Sequence, residues 1–451
     1  MIRPHIFREY DIRGTVPDEL NESAVRLLGN ALGAYYRYKG ATRISLGRDC
    51  RLSSPDLASW LSSALVASGM EVVDIGMVPT PVLYFSIHHL SVDGGIQITG
   101  SHNPPAFNGF KVCLGEMSVY GSEIQKIRQL AESGDFNLEA GKAETADVRE
   151  AYIDYVVQNI GLGPVPRKVA VDAGNGAGGP MGARIYRRLG IETIPLFCEP
   201  DGTFPNHHPD PTVPENLEPM IKRVVEADAD LGIAYDGDAD RIGVVDSKGN
   251  IIWGDQLMII FARDLLTRHP GATIIGEVKC SQTFYDDVTA HGGKAIMWKA
   301  GHSLVKQKMK EEGALLAGEM TGHLFFKERY FGYDDAIYAG ARLLEILSKT
   351  DRRVEDLLEG VPQMVTTPEI RVDCPDDRKF GVVAAVTEAL RKTYDVIDID
   401  GARVRLDGGW GLVRASNTQP ALVLRFEARD QKRLDEIRKI FMGEVEKRLR
   451  L

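Results

Sequence analysis

Cysteine is scarce in this chain of 451 residues. Cys50, Cys113, Cys198, Cys280 and Cys374 are odd in number, widely scattered and never form a Cys-x-x-Cys pair. That pattern argues against a disulfide framework or a cysteine metal site and points to a reducing, cytoplasmic setting. No stretch approaches the roughly 18 consecutive apolar residues that a membrane span requires, so no membrane association is expected. The charged start, MIRPHIFREYDIRG, has no apolar core of a leader, so no secretory signal is expected. Basic residues are also in deficit, 54 Lys and Arg against 64 Asp and Glu for a net charge of −10, which disfavours nucleic acid as a partner. Any anionic ligand must therefore be held by a local cluster of cations. What remains is an ordinary globular composition, 43% hydrophobic and 26% charged. At about 100 to 200 residues per domain, the length predicts three or four domains.

The apolar runs come in a repeating order. Arg43 to Asp49, Met70 to Gly76 and Gly95 to Thr99 read as strands, with a helix pattern from Pro55 to Gly69 carrying Leu57, Leu61, Ala64 and Leu65 on one face. The order recurs in Lys168 to Asp172, Ile191 to Leu196 and Asp230 to Tyr235, and again in Ala272 to Gly276, Lys294 to Trp298 and Ala314 to Ala317. Strand, helix, strand, helix, strand is the rhythm of a layered α/β domain. In all three rounds the densest polar stretch follows the third strand. Open α/β sheets bind ligands at the carboxyl ends of their strands, so three loops could face one cleft. From about Met364 the rhythm changes to strand (Glu369 to Val372), helix (Phe380 to Tyr394), three strands (Asp395 to Asp400, Leu412 to Ser416, Leu422 to Ala428) and a helix from Gln431 to Leu449. This is a smaller α+β domain.

Four polar loops carry chemistry. In GIQITGSHNPPAFNGFK, Gly95 to Lys111, a Pro-braced turn presents Ser101 with the cation Lys111 nearby, a setting for a nucleophile or phosphate carrier. Asp236, Asp238 and Asp240 alternate along a turn and can converge on one hard cation. An EF-hand needs Gly at loop position 6 and an acid at 12, where this chain has Arg241 and Ser247. A haloacid-dehalogenase phosphatase continues its DxD differently from Asp240. A divalent metal completed by a phosphate oxygen is the best reading of this turn, with magnesium favoured for phosphoryl chemistry. Glu319, Thr321 and His323 in GEMTGH offer donors and acceptors for a polyhydroxylated ligand. Arg414, Ser416, Asn417 and Thr418, at a hairpin tip, suit a phosphate that is bound without reacting.

TGSHNP with Lys111, DGDADR, GEMTGH and RASNTQP, in this order and at this spacing over essentially the whole chain, resemble the α-D-phosphohexomutase superfamily. GEMTGH is similar to the sugar loop of its bifunctional phosphomannomutase/phosphoglucomutase members, which usually have Ser at the place of Thr321. The resemblance implies three similar mixed α/β domains (1–147, 148–251, 252–363) and a C-terminal TATA-binding-protein-like α+β domain (364–451) around a central cleft. It implies an isomerase in which Ser101, as phosphoserine, moves a phosphoryl group between C1 and C6 of mannose or glucose phosphates, with Mg²⁺ held by Asp236, Asp238 and Asp240 against a phosphate oxygen on Ser101. Glucose 1,6-bisphosphate would be the intermediate and activator. Arg13, Lys111, Arg241 and His302 match further catalytic positions, with Lys111 or His302 to shuttle a proton, and Tyr10 and Lys279 match substrate contacts. A phosphoglucosamine mutase and a non-catalytic sugar-phosphate sensor stand as alternatives, and a monomer or weak dimer is expected.

Overall fold

The structure, a computed structural model, describes residues 2–136, 139–417 and 419–449. Among them lie four β-sheets, and the first three share one wiring. Arg43–Arg48 pairs in parallel with Glu71–Met77 on one side and Gly94–Ile98 on the other, and Gly94–Ile98 turns back antiparallel into Phe107–Leu114. In the second sheet Lys168–Asp172 stands between Glu192–Leu196 and Leu231–Tyr235, which turns back into Ile242–Asp246. In the third, Thr273–Glu277 stands between Lys294–Trp298 and Leu316–Gly318, which turns back into Leu324–Phe326. The repeat expected from the apolar runs is thus a single topology used three times. Parallel neighbours require a crossover, supplied in the first unit by helices such as Ser54–Ala67 and Thr80–His89. Strands covered on both faces read as unbroken apolar runs, as Leu231–Tyr235, buried at every residue, does.

The first sheet is larger than the sequence reading gave it, because Ile12–Thr15 and Lys142–Thr145 extend its two edges. The helix Glu22–Tyr38, also absent from that reading, starts where the Asn21 side chain accepts a hydrogen bond from the Ala24 amide. It buries Val25, Leu28, Leu32, Tyr35 and Tyr36 along one face. Both signals, the cap and the stripe, are present in the sequence.

The fourth sheet is antiparallel. Ala421–Ala428 lies between Ile370–Asp373 and Gly409–Ala415, followed outward by Ala402–Leu406 and Val396–Ile397. Helices Lys379–Arg391 and Gln431–Leu449 pack on it through Val386, Leu390, Leu434, Ile437, Phe441 and Val445. The strand expected at Asp395 to Asp400 is only Val396–Ile397. Gly401, with a left-handed φ of 86°, turns the chain into the next strand, and the Asp400 carboxylate bonds Ala300 and Arg414 instead of continuing the ladder. The strand Ala402–Leu406 escaped the sequence reading because Arg403 breaks its apolar pattern. That arginine is buried, its guanidinium stacked 3.8 Å above Trp410 and donating to the Cys280 carbonyl at 2.8 Å. It bonds the Val278 carbonyl as well. This contact docks the fourth unit on the third, beside a small core of Val278, Ala300, Trp410 and Leu412.

Candidate active site

Three turns, following the strands Gly94–Ile98, Leu231–Tyr235 and Leu316–Gly318, meet at one place. Ser101 is buried and holds a left-handed φ of 46°, a conformation that costs a non-glycine residue about 1–3 kcal/mol and must be held by its surroundings. Arg51 does the holding. Its fully buried guanidinium donates to the carbonyls of Ser101 (2.8 Å), Asn103 (2.6 Å), Pro104 (2.7 Å) and Phe107 (2.9 Å), and is countered by Asp49 at 3.2 Å. Gly100 is obligatory here, since a Cβ would sit 2.4 Å from Arg51 Nε. The Ser101 hydroxyl donates to Asp236 Oδ2 at 2.8 Å, so the first loop touches the second directly. Gly237 permits that approach, because its Cβ would fall 2.5 Å from the Ser101 carbonyl.

Asp236, Asp238 and Asp240 are fully buried, and one oxygen of each lies within 4.8 Å of the others. Burial and mutual repulsion push the Asp236 and Asp238 carboxyls up. Asp240 goes the other way: burial opposes its charge, but Lys111 Nζ at 2.6 Å outweighs it. Lys111, on the strand Phe107–Leu114, is held protonated, with Asp240 and Asp238 overcoming its own burial. Asp238 Oδ1 and Asp240 Oδ1 have no hydrogen-bond partner. Three buried carboxylates with two orphaned oxygens and only one lysine between them fit a divalent cation, which would relieve the repulsion.

The third loop joins through Arg241, whose Nε donates to His323 Nε2 at 3.0 Å. His302 opens the helix His302–Glu312 and stacks on His323 with ring centroids 5.5 Å apart. Burial, with Lys111 and Lys306 nearby, pulls the His302 imidazole well below its ordinary range and favours its neutral form. Glu319 accepts from the Gly301 amide at 2.7 Å and from Thr321 Oγ1 at 3.2 Å. Tyr10 donates to the Ala300 carbonyl at 2.8 Å and receives Asn417 Nδ2 at 2.5 Å, which ties the hairpin tip of the fourth sheet to the first unit. Arg414 Nε meets Asp400 at 2.9 Å, Lys279 Nζ meets Glu369 at 3.2 Å, and Ser416 Oγ accepts from the Gln419 amide at 3.1 Å. Arg13 flanks the serine loop, bound to Asn103 at 2.7 Å and to Asp11 at 2.5 Å. Thr418 lies outside the described residues.

The residues picked from the sequence therefore fall into two linked clusters. Ser101, the three aspartates, Lys111, Arg241, His302 and His323 make one, with Arg13 at its edge. Tyr10, Lys279, Glu319, Thr321, Arg414, Ser416 and Asn417 make the other. Sequence reasoning missed the acids that answer the cations, Asp334, Glu369 and Asp400, together with the clamp Arg51. For Arg51 a signal existed, since Asp49 and Arg51 follow the strand Arg43–Arg48 at its carboxyl end, where open α/β sheets bind ligands.

Comparison with known proteins extends over the same regions. Residues 4–138, 150–249 and 253–365 match the phosphoglucomutase/phosphomannomutase alpha/beta/alpha domains I, II and III, and residues 369–444 match the C-terminal domain of that family. A phosphomannomutase/phosphoglucomutase of Pseudomonas putida is 46% identical, over 98% of this chain and 95% of its own. A phosphoglucomutase of Neisseria gonorrhoeae is also 46% identical, over 98% and 96%. The crystal structure of a phosphoglucomutase/phosphomannomutase family protein from Burkholderia thailandensis superposes with a TM-score of 0.93 at 42% identity, covering 99% of this chain and 98% of that one. No helix among the described residues is long and apolar enough to cross a membrane.

Proposed function

The chain belongs to the phosphoglucomutase/phosphomannomutase family, and from that premise we propose how its own residues carry out the reaction. It is a hexose-phosphate mutase, an isomerase that moves a phosphoryl group within a sugar phosphate. The substrates are mannose and glucose 1- and 6-phosphates, after the relatives named for both activities. The observation that carries the mechanism is the Ser101 hydroxyl, 2.8 Å from Asp236 inside a buried ring of three acids and Lys111.

Ser101 stores the phosphoryl group as phosphoserine. A sugar hydroxyl attacks the phosphorus, the Oγ–P bond breaks, and the sugar becomes a 1,6-bisphosphate. The proton lost by that hydroxyl passes to a base, for which His302 is the better candidate, because its surroundings favour the neutral imidazole while those of Lys111 favour the cation. The bisphosphate turns over and Ser101 Oγ takes back the other phosphoryl group, restoring the enzyme, with glucose 1,6-bisphosphate as activator. Asp236, Asp238 and Asp240 would hold Mg²⁺, which supplies charge neutralisation on the phosphoryl oxygens and the departing serine oxygen. Arg414, Ser416, Asn417 and Thr418 grip the phosphate that is not reacting, while Glu319 and Thr321 hold sugar hydroxyls in either orientation.

A coupled assay of mannose 1-phosphate against glucose 1-phosphate, with glucosamine 1-phosphate as control, tests the substrate assignment. Peptide mass spectrometry of the purified protein tests the phosphoserine. Turnover of glucosamine 1-phosphate well above the other two would replace the assignment. Full activity with unmodified Ser101 and no added bisphosphate would end the storage role.

A further inference from the structure

Away from the cleft, a cavity of about 310 Å³ opens between the first and third units. It lies against the far end of the helix His302–Glu312, where Lys310 stands about 12 Å along the axis from His302. The reaction described above makes no use of it. Its walls are apolar and aromatic, with Met117 from the first unit and Met309, Phe331 and Tyr333 from the third. Phe331 lies flat on His88 of the first unit, ring centroids 4.2 Å apart, and nearly parallel to Tyr333 at 5.8 Å.

The charge around this cavity is opposite to that of the chain. Lys306, Lys310 and Lys327 line it with a single acid, Glu116, in a protein of net charge −10. Lys306 is buried and already matched, its ammonium 3.2 Å from Asp334 Oδ1 and 3.2 Å from the Tyr84 hydroxyl. Lys310 and Lys327 are exposed, and among the described residues neither has a carboxylate partner. Lys327 Nζ donates only to the Phe331 carbonyl, at 3.3 Å. Two cations thus stand against Glu116, a surplus of one positive charge beside an apolar floor. A sugar phosphate suits such a place badly, because its hydroxyls would be buried against thioethers and rings without partners. A flat ring bearing one carboxylate suits it well. The ring stacks on aromatic walls and methionine sulfur, while the charge stays at the rim with the lysines.

We propose that this cavity is a second binding site, for a small aromatic carboxylate whose ring enters between Met117, Met309 and Phe331 and whose anionic end meets Lys310 and Lys327. The volume is at the small end of ligand pockets and admits a body of one or two rings. Because its walls come from two units, an occupant ties them together and stabilises the folded chain by mass action. The site is separate from the sugar cleft and does not rest on the mutase reading.

Calorimetric titration of the full chain with 2-naphthoate, with and without glucose 6-phosphate, tests the proposal. One site with a Kd on the order of 10⁻⁴ M is expected for a ligand of this size, unchanged by the sugar phosphate. Naphthalene-2-methanol has the ring without the charge, and decanoate the charge without the ring. Each should bind at least about tenfold more weakly. Lys310→Glu and Lys327→Glu alter exposed side chains, so both variants should fold, and each should weaken naphthoate about tenfold. Naphthoate at about 10 mM should raise the Tm of the wild type and not that of the double variant. Naphthoate displaced by glucose 6-phosphate would lie in the sugar cleft, which overturns the proposal. Binding that both charge reversals leave unchanged overturns it too, as does equal affinity for either control compound. So does the absence of both heat and Tm shift in the wild type.

Discussion

The two halves of the cleft handle charge differently. Around Ser101 the groups are locked. Asp236, Asp238 and Asp240 have no exposed surface, the serine loop is pinned by four bonds from Arg51, and Lys111 is committed to Asp240. Around the hairpin tip the cations are held by acids that keep some exposure. Arg414 is answered by Asp400, whose side chain is 16% exposed, and Lys279 by Glu369, at 20%. A transferring phosphoryl group needs preorganised charge that does not move during the step. An anchor that must accept, hold and release a phosphate needs charges whose partners can change. On this view the reacting half stores rigidity and the anchoring half stores exchangeable ion pairs.

The sharpest way to break that contrast is Ser101→Ala. Activity in the coupled assay should fall roughly 10⁴-fold or more, as for loss of a nucleophile, while calorimetry should still show sugar-phosphate binding through the untouched anchor. Loss of both together would mean that the halves are not separable. Next in size, Asp238→Asn should cost on the order of 3 kcal/mol in kcat/KM, the loss of one preorganised electrostatic partner. Exhaustive chelation should stop turnover until Mg²⁺ is returned. Activity that survives chelation removes the cation from the acid cluster.

Arg414→Ala should act on the other half, raising KM by about tenfold, the loss of one charge-assisted hydrogen bond. It should do so for 1- and 6-phosphates alike, and it should increase the dependence on added glucose 1,6-bisphosphate because the intermediate escapes. A defect in one direction only would argue against a shared anchor. The smallest effect is expected from Glu369→Gln. The field of Lys279 holds the Glu369 carboxyl at about 2, below its ordinary 4.5. A depressed value means that this contact stabilises the fold fully above about pH 4.5 and is lost as the pH falls toward about 2. The drop in Tm caused by the substitution should therefore be larger near pH 7 than near pH 3. An equal drop at both would show that Glu369 acts by packing and not by charge.

Particular residues show what could be read without coordinates. Ser101 and the three aspartates stand in short loops bounded by strands and glycines, so local pattern was enough to pick them out as candidates. The repeat was visible because each unit renews the same order of apolar runs. Ala402–Leu406 was not visible, because Arg403 looks like a solvent-facing residue until the Trp410 ring and the carbonyls of the third unit are placed around it. Asp334 was equally hidden. It follows two tyrosines and a glycine in an unremarkable turn, and nothing nearby in the chain announces Lys306 or His323.

By itself the sequence determined the strands and helices that repeat, their threefold order and the chemical types in each loop, because these follow from short-range periodicity, turn chemistry and side-chain inventory. Tertiary structure decided which charge answers which. Lys111 finds Asp240, Lys279 finds Glu369, Arg414 finds Asp400 and His323 finds both Asp334 and Arg241, across sequence separations of 129, 90, 14, 11 and 82 residues. The reason is physical: a buried charge must be compensated within a few ångströms of space, and a folded chain supplies that neighbour from whichever strand end happens to be near.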